Sequence, residues 1–144
     1  MSYLSHLECS ECGTTYSAHD LHNLCVKCGA PLWVRYDLAS ARRELDRDRC
    51  ASRPASLWRW AELLPINDLA QRIDLGEGGT PLLRIDRLAA HLGLSTVWLK
   101  DEGRNPTGTF TARGMAAAVT RATALGVNEF VVPTAGNAGG AAAA

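Results

Sequence analysis

The sequence predicts an α/β fold carried behind a small cysteine-rich head. Three observations predict it. Four cysteines fall in two Cys-x-x-Cys pairs within the first 28 residues; from Leu82 onward short apolar runs alternate with a helical periodicity; and glycine-containing loops punctuate that alternation. At 144 residues, with 47% hydrophobic and 21% charged residues, the chain has the composition of an ordinary globular protein. Lys plus Arg and Asp plus Glu both total 15, so a net charge of zero offers nucleic acid or an anionic membrane no general attraction. The opening MSYLSHLECSECG has no basic region followed by an apolar core. No run approaches the ~18 apolar residues of a membrane span, and a cytoplasmic location is the expectation.

The head comes first, over residues 1–34. Cys9 and Cys12 form one pair, Cys25 and Cys28 the other, with twelve residues between them. Two residues between cysteines let both sulfurs of a tight knuckle turn onto one ion. Gly13 and Gly29, directly after each pair, can adopt the positive φ that such a knuckle needs. The spacing predicts a zinc ribbon with a closed tetrahedral site of four thiolates. Two disulfides are the alternative, suited to an oxidising compartment. His6, His19 and His22 lie nearby, but four thiolates fill the site, so they read as surface histidines.

Residues 35–74 read as an Arg-rich linking segment. Seven arginines fall between positions 35 and 60, and ARRELDRDR alternates in sign as a solvated helix does. In SLWRWAELLP, Trp58, Leu63 and Leu64 are candidate anchors on a neighbouring core. Residues 66–74 read as a connector, and Cys50 as an isolated thiol.

The α/β part occupies 75–144. LGEGGTPLLRI joins a close-approach turn to an apolar strand at Leu82–Ile85, although G-E-G-G alone is weak evidence. DRLAAHLGL reads as a short helix stopped by Gly93. Val97–Leu99 reads as a buried strand and Phe110–Leu125 as a helix with Met115, Val119 and Ala122 on one face, stopped by Gly126. Phe130–Val132 reads as the next strand. A βαβ order predicts parallel strands with a right-handed crossover, placing DEGRNPTGT and PTAGNAGG at one crevice.

Three motifs in this order, LGEGGTPLL, WLKDEGRNPTGTF and PTAGNAGG, resemble the threonine synthase family of fold type II pyridoxal-phosphate enzymes. The cysteine pairs followed by GAPLWVRYDL also resemble the zinc-ribbon leader of some members, so the resemblance covers nearly the whole chain. It implies the first part of a three-layer parallel-sheet core, truncated here, from an N-terminal portion of a longer protein. It implies pyridoxal 5'-phosphate and structural zinc as cofactors, a small-molecule amino-acid substrate, and a homodimer for the full-length protein. The implied reaction converts O-phosphohomoserine and water to threonine and phosphate, a β,γ-replacement. Asn137 lands on the residue that meets the cofactor's ring oxygen. Thr134, Ala135 and Gly136 land on the stretch that meets the substrate carboxylate, and Phe110 lies in the cofactor loop.

One position departs severely from the family. Its motif Asn-Pro-Thr-Gly-Ser-Phe-Lys reads here Asn105-Pro-Thr-Gly-Thr-Phe-Thr111, so Thr111 occupies the position of the Schiff-base lysine. An imine needs a primary amine, and burial lowers a lysine's pKa enough to supply a neutral one. A hydroxyl supplies neither the attachment nor a base near neutral pH. The only lysines are Lys27, in the presumed knuckle, and Lys100, which reads equally as an anion contact or a strand-end charge. The family's glycine-rich phosphate cradle and its partner to the pyridine nitrogen are also missing from these 144 residues, so the chain is expected to be inactive as it stands.

Other readings remain open. One is a different fold type II enzyme, such as a threonine dehydratase-like lyase or a cysteate synthase-like enzyme. Another is a non-catalytic zinc-ribbon binding module. Residues 1–34 hold one lysine against Glu8, Glu11 and Asp20, so this ribbon lacks the basic footprint of a nucleic-acid binder. A degenerate crevice that binds a ligand without reacting it is a third.

Overall fold

The computed structural model describes residues 2–144. Strands β1 (Leu4–Cys9), β2 (Thr15–Ser17) and β3 (Leu32–Tyr36) form an antiparallel sheet of order β2-β1-β3. Leu7 of the central strand sits opposite Tyr16 on one side and Val34 on the other, and Cys9 lies opposite Leu32. The glycines close the knuckles as the spacing predicts. Gly13 (φ 68°) and Gly29 (φ 72°) each donate their amide to the carbonyl of the first cysteine of the pair, Cys9 at 3.3 Å and Cys25 at 2.8 Å.

The alternating-charge segment forms two short helices instead of one, α1 (Leu38–Glu44) and α2 (Arg47–Ser52). Asp46 explains the break. Its side chain accepts the Arg49 amide at 2.8 Å as an N-cap, while Leu45 turns extended to end α1. Asp37 caps α1 in the same way through the Ser40 amide. A 3-10 segment, Leu57–Leu63, follows, and Trp58 with Ile66 and Ala116 forms the apolar core, flanked by Leu57 and Leu64. Trp58 and Leu64 therefore anchor the segment as expected, whereas Leu63 is exposed. Ile66, read as plain connector, is core.

Beyond the core, β4 (Leu82–Arg84) pairs antiparallel with β5 (Trp98–Lys100), and α3 (Asp86–Leu92) lies between them and ends on Gly93 at φ 67°. Helix α4 (Thr111–Ala124) and helix α5 (Asn137–Ala143) follow. Three expectations fail here. The 130–132 run forms no strand, and Val131 is 99% exposed. The β5 strand is not buried, since Trp98 and Leu99 are both about half exposed. The buried face of α4 is Ala112, Ala116 and Thr120, with Met115, Val119 and Ala122 only partly covered.

The reasons are physical. The predicted parallel βαβ pair does not form either: β4 and β5 pair antiparallel with their apolar side chains half exposed, whereas a parallel sheet is stable only with layers on both faces. On α4 the small residues four apart give the narrow stripe that approaches the Trp58 core closely. Thr120, 1% exposed, accepts the Ile73 amide at 2.9 Å and so ties the connector down as well.

Candidate functional site

The four cysteines converge. Their Sγ atoms all lie within 4.8 Å of one another, with Cys9–Cys28 at 3.4 Å and Cys12–Cys25 at 3.6 Å. A tetrahedral zinc with Zn–S bonds of about 2.3 Å requires sulfurs about 3.8 Å apart, so the donor set fits that ion in number, chemistry and spacing. The disulfide alternative is not realised: all four thiols are free, and the sulfurs stand well beyond the ~2.05 Å of an S–S bond.

Cys9 and Cys25 are buried, and Cys12 and Cys28 form the exposed side. The Glu11 and Cys12 amides approach Cys9 Sγ at 3.5 and 3.4 Å. The Tyr16 hydroxyl lies 3.1 Å from Cys25 Sγ, and this contact, foremost among several, pulls the Cys25 thiol down to about 6. No histidine joins the cluster. His19 is exposed, His6 lies 3.8 Å from Glu8, and the partly buried His22 ring packs against Tyr16 at 5.0 Å.

The second candidate site is where the two predicted loops meet. Thr111 opens α4, and its hydroxyl contacts Thr109 Oγ1 and donates to the Asn137 carbonyl at 3.3 Å. Thr109 Oγ1 also accepts the Thr111 amide at 3.1 Å. Positions 111 and 137, which are 26 residues apart, are thus neighbours. Thr134 Oγ1 accepts the Gly136 and Gly139 amides at 2.9 and 3.1 Å, folding the PTAGNAGG loop onto the start of α5. A Cβ at Gly139, inside α5, would stand 2.7 Å from Thr134 Cγ2, so the Thr134 side chain packs closely over the helix start. Ala135, Gly136 and Phe110 are exposed.

Beside the NPTG turn lies a polar network that sequence reasoning missed. Glu102 accepts from Arg113 Nε at 2.7 Å and Nη2 at 2.9 Å, from Thr80 Oγ1 at 2.6 Å and from Asn105 Nδ2 at 2.9 Å. The Arg113 guanidinium, chief among these donors, pulls the Glu102 carboxyl down to about 2. Asn105 Oδ1 accepts the Gly78 amide at 3.0 Å, which ties the NPTG turn to the GEGG loop. Lys100 donates Nζ to the Thr80 carbonyl, a local structural contact. Glu77, fully buried, accepts from Trp58 Nε1 at 3.2 Å and from the Leu75 amide at 2.9 Å. The sequence held a signal for it: an acidic residue set among three glycines is an unusual turn residue unless its carboxylate has buried donors.

A profile of the family described as "Pyridoxal-phosphate dependent enzyme" matches residues 73–144, the half of the chain that holds both loops. The chain belongs to that family. It is 40% identical over 138 residues, 96% of its own length, to a threonine synthase of Methanosarcina acetivorans, and 38% identical over 136 residues to one of Methanocaldococcus jannaschii. A threonine synthase of Mycobacterium leprae is 42% identical over 91 residues. The chain spans about a third of the length of the two archaeal relatives. No helix among the described residues is long and apolar enough to cross a membrane.

Membership in a pyridoxal-phosphate family raises the question of fit. The group is held covalently through an amine, and position 111 offers a hydroxyl already engaged with Thr109 and Asn137. Lys100 is committed to Thr80, and Lys27 lies in the second cysteine knuckle. The residues present do not fit covalent attachment of the cofactor at the crevice.

Proposed function

We propose that this chain is the N-terminal portion of a threonine synthase-like protein, organised as a zinc ribbon (1–34), a linking segment (35–74) and a partial catalytic domain (75–144). The single observation that carries the reading is the meeting of the NPTGTFT and PTAGNAGG loops at Thr111 and Asn137, in a chain about 40% identical to threonine synthases over nearly its whole length. In a full-length protein with the family's lysine at position 111, the substrate would be O-phosphohomoserine. There, as the resemblance implies, Asn137 would meet the cofactor's ring oxygen, with Phe110 in the cofactor loop, and Thr134, Ala135 and Gly136 would meet the substrate carboxylate. Zinc, held by Cys9, Cys12, Cys25 and Cys28, is structural.

The chain as it stands is inactive, because Thr111 supplies no amine. Incubation with pyridoxal phosphate followed by borohydride reduction and peptide mapping tests this. The expected result is no stoichiometric adduct on any one residue, and a stoichiometric adduct on Lys100 or Lys27 would refute it. In a full-length protein, T111K is expected to restore cofactor attachment and threonine formation from O-phosphohomoserine. Preference for deaminating threonine, or for phosphoserine, would instead favour a dehydratase-like or cysteate synthase-like enzyme.

A further inference from the structure

The contacts around the cysteine cluster are unequal. Cys9 lies against two amides of its own knuckle, Glu11 and Cys12. Cys25 has a neighbour of another kind, the hydroxyl of Tyr16, at 3.1 Å and brought in from β2, nine residues away in sequence. The same hydroxyl oxygen accepts the Val26 amide at 3.1 Å. Between the phenol and Cys25 either partner could donate while the thiol keeps its proton. A metal-bound thiolate has none, so in the metal-bound state the phenol O–H is the donor and the sulfur accepts, while the Val26 amide holds the oxygen in place.

We propose that Tyr16 is a positioning residue for the metal, its phenol donating to Cys25 Sγ and so fixing the second cysteine pair against the ribbon sheet. This rests on reading the four cysteines as a zinc site. The fold places the residue for the task. Tyr16 is central in β2, held in register opposite Leu7 of β1, and its ring is backed by His22 at 5.0 Å with planes 57° apart. A hydrogen bond of this kind stabilises the sulfur lone pairs and orients the ligand before metal arrives, and partners of this class change metal affinity by about 10- to 100-fold.

The test uses the whole 144-residue chain with Co²⁺ as spectroscopic probe and Zn²⁺ in competition. Y16F keeps the ring and removes only the hydroxyl, and the freed Val26 amide belongs to an 83% exposed residue, so water can replace its partner. The expected result is a Zn²⁺ affinity weaker by about 10-fold or more. The sulfur-to-cobalt charge-transfer band should move to lower energy, because the sulfur lone pairs are no longer stabilised. H22A, which removes the packing partner but no contact to sulfur, should leave the band in place. An unchanged band and affinity in Y16F overturns the proposal, as does an equal band shift in H22A, which would assign the effect to ring packing. If the unsubstituted chain gives no tetrathiolate cobalt spectrum, the zinc reading itself fails, and this inference with it.

Discussion

The ribbon and the crevice are built on opposite terms. The ribbon gathers its whole site from a stretch of twenty residues, Cys9 to Cys28, and its three strands pair with one another. The crevice draws on Thr80, Glu102, Asn105, Thr111 and Asn137, yet it stands on a two-stranded sheet whose apolar side chains are open to solvent. The four-thiol donor set is complete within the chain, whereas the position that the family resemblance assigns to its lysine holds a threonine hydroxyl. A metal site whose ligands lie close in sequence can close on a short stretch of chain. A parallel α/β core closes only when strands far along the chain come back to cover it.

The largest effect that separates the two regions is metal removal. Structural zinc contributes roughly 10–16 kcal/mol of apparent binding free energy in small ribbon-like units, far more than this three-stranded sheet can supply from its own packing. Chelation, or C9S, is expected to abolish the amide signals of β1, β2 and β3 in a two-dimensional NMR spectrum. Signals from α4 should shift on the side that lines a shared cavity with the ribbon, from Gly114 to Ala122 and including Arg121, whose guanidinium reaches the Ala18 carbonyl, and stay in place elsewhere. Retention of the β1–β3 signals without metal would erase the contrast between the regions.

Next in size is the close approach of the GEGG loop. Gly78 has φ 100°, and a Cβ there would lie 2.4 Å from the Leu57 amide nitrogen. G78A combines left-handed strain with backbone overlap, at an expected cost of roughly 2–5 kcal/mol. Denaturant unfolding followed by Trp58 fluorescence checks it, since Trp58 donates to Glu77 one residue away. The ribbon should keep its metal. Loss of both together would mean that the two regions unfold as one.

How much of this was legible in the sequence follows the same division. The knuckles, their glycines and the Gly93 and Gly126 stops could be read because each depends on residues within a few positions. The meeting of Thr111 with Asn137 matches an expectation drawn from a βαβ order, although the second strand of that order, 130–132, does not form. The hub at Glu102 could not. Its partners Thr80, Asn105 and Arg113 are spread over 33 residues, and nothing in a one-dimensional pattern joins them. The strand at 130–132 was misread for the complementary reason: Phe130-Val131-Val132 has the composition of a buried strand, but pairing is a property of neighbours.

Acid sharpens the comparison more gently. Glu102 has its carboxyl lowered from 4.5 to about 2, foremost by Arg113, so the folded state binds its proton more weakly than the unfolded state. Its stabilising contribution is therefore complete above about 4.5 and lost as pH falls from there towards 2. Glu62, held down to about 2 chiefly by Arg53, acts in the same window in the linking segment. Between pH 5 and pH 2.5 the crevice half should lose stability, and E102Q should reduce that dependence while lowering stability at pH 7. An unchanged acid slope in E102Q would show that the hub is not what acid breaks.

The smallest effect tests the misread strand directly. Val131 is 99% exposed, so V131T exchanges a methyl for a hydroxyl that water already reaches, and the change in unfolding free energy should stay within about 0.5 kcal/mol. Were 130–132 a buried strand in this chain, the same exchange would leave a hydroxyl without a partner in an apolar layer, at about 1–3 kcal/mol. The same substitution in a protein of the relatives' full length distinguishes an open run from a run awaiting its neighbours. A cost that appears only in the longer protein would place residues 130–132 inside a sheet that later residues complete.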